Sequence, residues 1–178
     1  MATSYEIIKQ YLNDEGYSFI SKEEYIETTI SSDNYQNSDS TKLLSIVIKL
    51  EEDGQIVKII APYIYRFKFK SGSHLKVSLF QALLEISWKT KFVQFEYDSN
   101  DGEIRGIVEF PIEDSQFTKK QLIRAIKSLS SVIDLYHEEI TKSLAVDGEY
   151  ILGSSQFEQG DRYRTILNQT SSSKFKLS

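Results

Sequence analysis

The sequence predicts an α+β domain: an antiparallel sheet of about five strands with helices packed on it. Three observations carry this. Two apolar, branched runs, 43–50 and 55–61, meet at Asp53-Gly54, and two more, 92–97 and 103–110, meet at Asn100-Asp101-Gly102. Asx-Gly between such runs is a strong hairpin signal. The third is the stretch 117–144, where Leu122, Ile126, Leu129, Ile133, Tyr136 and Ile140 recur at alternating steps of four and three. That spacing lines one side of a helix, with Ile123 and Val132 widening the stripe. The expected order is helix, three strands, helix, two strands, helix.

Composition limits the function classes. The chain has 178 residues, 40% hydrophobic and 26% charged, which suits one domain; we assign it to 1–146, with a polar tail over 147–178. A net charge of -5 does not attract DNA or an anionic membrane globally. Cysteine is absent, so disulfides and thiolate metal sites are excluded. The polar start Met1-Ala2-Thr3-Ser4 lacks the basic and apolar runs of a signal peptide. No apolar run approaches the roughly 20 residues that cross a bilayer. The expectation is a cytoplasmic protein with no membrane partner.

Taken in order, Thr3-Ser4-Tyr5-Glu6 offers a helix cap, Ile8, Tyr11 and Leu12 follow at helical spacing, and Gly16 stops the helix. Tyr17, Phe19 and Ile20 suit a short strand. The stretch 24–30 reads either way, branched like a strand but preceded by a helix-like start. Residues 31–41 are the most polar piece and read as a mobile surface loop. In 43–50, Leu44, Ile46, Ile48 and Leu50 share a face. Pro62 is expected to end the strand 55–61. A further strand, 63–70, alternates Tyr63, Tyr65, Phe67 and Phe69 with Ile64, Arg66, Lys68 and Lys70. Ser73 can cap a helix bearing Leu75, Leu79, Leu83 and Ile86, with Leu84 and Trp88 beside them; apolar over much of its circumference, it is expected to be substantially buried. After the second hairpin, Thr118-Lys119-Lys120-Gln121 forms a capping box for a helix over 118–144, about 40 Å long. The tail is expected to be disordered alone, or ordered on a neighbouring surface.

The second half resembles the YbjN family, described as bacterial sensory-transduction regulators and similar in fold to type III secretion chaperones. The resemblance lies in Phe95-Glu96-Tyr97, Gly102-Glu103-Ile104, the run from Glu109 to Asp114, Phe117-Thr118, Gln121-Leu122, and Asp134 with Tyr136. It covers 92–144, and 4–88 by order of elements alone. It implies a type III secretion chaperone-like fold, no cofactor and no catalytic residues. It also implies binding to another protein, as chaperone, adaptor or regulator in a bacterium, with homodimers common in that fold.

Several residues invite chemistry. His137 has Asp134 three residues back, a spacing that can orient an imidazole, but no motif fixes a nucleophile beside it, and His74 stands alone. We read both histidines as surface residues. The run 98–103 looks like a calcium loop, but its glycine falls one position early and strands replace the flanking helices, so a hairpin turn is preferred. Arg66, Lys68 and Lys70, interleaved with Tyr65, Phe67 and Phe69, are the sharpest interaction signal. They suit an acidic peptide or, in a second reading, single-stranded nucleic acid. The bland reading is an edge strand kept from pairing by its cations. The expected partner surface is Tyr65, Arg66, Phe67, Lys68, Phe69 and Lys70 with Tyr150, Ile151 and Phe157 from the tail. An enzyme would need a deep pocket with convergent polar groups.

Overall fold

The computed structural model describes residues 3–67, 77–113, 115–147 and 150–152. The chain runs α1 (Tyr5–Asp14), β1 (Phe19–Ser21), β2 (Ile26–Ser31), β3 (Leu43–Glu51), β4 (Ile56–Phe67) and α2 (Val77–Lys89). It continues with β5 (Gln94–Tyr97), β6 (Glu103–Pro111), α3 (Lys119–Leu135), α4 (His137–Asp147) and β7 (Tyr150–Leu152). The described strands pair antiparallel, in the order β1-β2-β3-β4-β6-β5, with β7 pairing β4. The fold class is the expected one, with seven strands among the described residues rather than about five.

Strand alternation sorts the sheet into two faces. Ile46, Ile48, Val57, Ile59, Ala61, Ile104 and Val108 join the main core with Ile8 and Leu12 of α1 and Leu122, Ile126, Leu129 and Ile133 of α3. Each fully buried Leu or Ile contributes roughly 1.5–3 kcal/mol of transfer free energy. Gly106 lets α3 come close: a Cβ there would lie 2.8 Å from Leu129 Cδ1. On the other face Val47, Ile60 and Ile107 sit in one row across β3, β4 and β6. Beside them Lys58 bridges Glu51 (3.0 Å) and Glu109 (2.8 Å).

Both hairpins form. Glu52 and Asp53 take left-handed φ of 50° and 55° before Gly54 at 85°, where a Cβ would strike the Thr3 carbonyl. The Thr118 capping box is present, with Gln121 N–H donating to Thr118 Oγ1 at 3.2 Å.

Five expectations change. Pro62 does not end β4. The register slips between Ala61 and Tyr65, so three residues bulge opposite Arg105, and proline's missing N–H falls outside the ladder. The helix expected over 118–144 breaks at Tyr136, which leaves Ile140 and Leu144 buried in the core. Residues 31–41 are not a free loop: Tyr35 and Asn37 are buried within them. Helix α2 buries Leu79, Leu83 and Ile86 but exposes Leu84 and Trp88. Finally, Tyr150–Leu152, assigned to the tail, form β7 against Tyr65, Arg66 and Phe67.

Candidate functional site

The stretch 65–67 lies inside the sheet, between β6 and β7, and not at an edge. Tyr65 and Phe67 are fully buried. Arg66 is half-buried and donates from Nε to the Asp101 carbonyl at 3.0 Å. A ligand reaching this stretch therefore meets Arg66 and not a stacking platform. Ile151 pairs with Arg66, and Tyr150 with Phe67, through the backbone. Lys68, Phe69, Lys70 and Phe157 lie outside the described residues.

Asp134 does not orient His137; it holds the polar loop. Its Oδ1 accepts from the backbone N–H of Asp33 (3.1 Å), Asn34 (2.7 Å) and Tyr35 (2.8 Å). Burial pushes the Asp134 carboxyl up, but the Tyr35, Asn34 and Asp33 N–H groups and the Ser32 hydroxyl outweigh it and leave the pKa low. His137 is half-buried, not a solvated surface residue. Its Nδ1 lies 2.8 Å from the Tyr65 hydroxyl, its ring stacks on Tyr65, and the edge of Tyr35 closes the group at 5.5 Å. Burial lowers the His137 pKa, with the Asp134 charge opposing. What the imidazole meets is a core phenol and an aromatic edge, an arrangement that locks loop, sheet and α4 together. His74 lies outside the described residues.

The acidic turn folds its carboxylates onto its own backbone. Asp98 Oδ1 accepts from Asn100 N–H, and Asp101 Oδ1 from Glu103 N–H. Among the described residues no group of three or more His, Asp or Glu is placed to hold a metal ion. The same turn hides a group that the sequence reading passed over. The Glu103 side chain is 3% exposed and its Oε1 accepts the N–H of Tyr63, the left-handed residue of the β4 bulge. Burial raises its pKa to about 7 against the Arg105 charge and the Tyr63 N–H, with Asp101 and Asp98 adding to the rise. A β4 bulge paired with an acid at the start of β6 had no local signal in the sequence.

Helix α2 presents Leu84 and Trp88, one turn apart and 71% and 90% exposed, while its opposite side enters the core. Their identity as apolar residues was legible; which side of the helix they occupy was not.

The elements and their pairing define an α+β protein built on an antiparallel sheet. No family model matches the chain, and no curated protein sequence matches it. The Escherichia coli protein YbjN, described as a candidate transcription regulator, is 14% identical with a TM-score of 0.54, over 78% of this chain and 94% of that one. A chain of the HopA1–SchA chaperone–effector complex is 9% identical with a TM-score of 0.46, over 76% and 91%. The likeness to YbjN is one of fold. No described helix is long and apolar enough to cross a membrane.

Proposed function

We propose that this chain is a non-catalytic protein-binding module, acting in the bacterial cytoplasm as chaperone, adaptor or regulator of a partner protein. The observation that carries this is the pair Leu84 and Trp88, exposed one turn apart on a helix whose other side is core. Exposed tryptophan beside leucine is costly in water and is the residue chemistry that anchors protein interfaces. The fold likeness to a candidate regulator supports the same reading. The apolar stripe of α3 is spent on its own sheet, so a homodimer would use the α2 face. Arg66, Lys68, Phe69, Lys70, Tyr150, Ile151 and Phe157 remain a second proposed contact region.

Capture from the native host with the tagged parent and a Leu84→Ala/Trp88→Ala variant tests the proposal, with sedimentation reporting self-association. The expected result is a partner, or a second copy, held by the parent and lost by a variant with unchanged melting temperature. A parent that returns alone and sediments as a monomer overturns it.

A further inference from the structure

The outward side of α3 carries charge opposite in sign to the chain as a whole. Lys120, Arg124 and Lys127 follow at steps of four and three, all exposed. Lys91 stands across from them, beyond the end of α2. Two depressions of about 460 and 530 Å³ adjoin here, and Arg124, Lys127 and Ser128 line both. One is walled by Glu15, after α1, and the other by Thr90, Lys91 and Phe92, so together they make a groove along the helix.

These cations are left over. Lys119 is matched by Asp14 (3.6 Å) and Glu15 (3.3 Å), and Lys9, Lys49, Lys58, Lys89, Arg105 and Lys142 each hold a carboxylate. Among the described residues, Lys91, Lys120, Arg124 and Lys127 hold none; Lys22, Lys42 and Arg66 hold none either, but they do not line these depressions. In a chain of net charge -5, with carboxylates in excess, four unmatched cations sharing one groove are an unusual concentration. The groove also offers apolar contact, from exposed Phe92 and half-buried Val132.

We propose that this groove binds an acidic segment of a partner protein, its carboxylates on the four cations and an apolar side chain against Phe92 and Val132. This rests on the protein-binding reading and assigns that partner's chemistry. From Lys120 to Ser131 the helix rises about 16 Å, the span of about five residues of extended chain. Single-stranded nucleic acid fits less well: the groove offers one ring, Phe92, where such sites use successive stacking rings.

Fluorescence anisotropy with the full chain tests this. The probes are a labelled twelve-residue peptide of aspartate and glutamate with a central leucine, its lysine counterpart, and a twelve-nucleotide oligothymidine. The acidic peptide is expected to bind best at about 50 mM salt and to weaken roughly tenfold by about 200 mM, as screened surface charge requires. Lys120→Glu/Arg124→Glu/Lys127→Glu should lose binding, and the milder Gln triple should weaken it, both retaining the parent's circular dichroism. Lys142→Glu, on α4, should leave it unchanged. Equal binding by the charge-reversed variant, no binding by the parent, or tighter binding of oligothymidine overturns the proposal. A captured partner held equally by the triple variant overturns the groove alone; a parent that captures nothing yet binds the peptide removes the protein-binding reading instead.

Discussion

Glu103 is a carboxyl held where charge is unwelcome. Its pKa rises from the usual carboxylate value to about 7 because burial outweighs Arg105 and the Tyr63 N–H. Both folded and unfolded chains hold the proton below the unfolded pKa, so stability there is full. As pH rises towards 7 the unfolded chain ionises freely and the folded one resists, so stability falls across that window and then levels. Glu103→Gln keeps an acceptor for Tyr63 and removes the titration. Urea melts should show the variant gaining on the parent by on the order of 1–3 kcal/mol between pH 5 and pH 8. Asp134 has the opposite sign: its lowered pKa gives stability that is present above the unfolded value and lost as pH falls through the folded one. Asp134→Ala removes the acceptor for three backbone N–H groups. It should cost about 1–3 kcal/mol, with faster hydrogen exchange at residues 33–35.

Among the elements, α3 packs closely on β6, and Gly106 permits it. Gly106→Val would push against Leu129 Cδ1 and Ile133 Cδ1, with a destabilisation of about 1–3 kcal/mol by thermal melting. Elements whose causes are local were legible in the sequence: the Thr118 capping box, the α3 stripe and both Asx-Gly turns rest on residues within a few positions of each other. The β4 bulge was not, because the acid that satisfies Tyr63 lies 40 residues along the chain. The loop at 33–35 was read as mobile because its acceptor lies about 100 residues away. The candidate groove was half legible. Lys120, Arg124 and Lys127 stand at helical spacing in the sequence; the opposite wall at Lys91 and the missing carboxylates are properties of the folded chain.

At the scale of the molecule, β4 is the organising strand, with β3 and β6 along one half and β6 and β7 along the other. A three-residue strand thus covers the backbone groups that β3 leaves open at Tyr65, Arg66 and Phe67. A chain ending at residue 147 should expose that notch and associate through it, visible as higher-order species in sedimentation; a monomeric, equally stable truncation would show that β7 contributes nothing. The organisation over 1–146 with a following tail is a related expectation. Limited proteolysis should cut after residue 152 first, leaving β7 attached to its sheet.

The position of β7 in the chain has a consequence for biosynthesis. Of the described strands it leaves the ribosome last, yet it belongs beside the middle of the sheet. Until it emerges, the nascent polypeptide carries an unfilled slot next to its most buried aromatic residues. Stalled nascent chains should therefore be protease-sensitive around Tyr65 when residues 150–152 are still in the exit tunnel, and protected once these have cleared it.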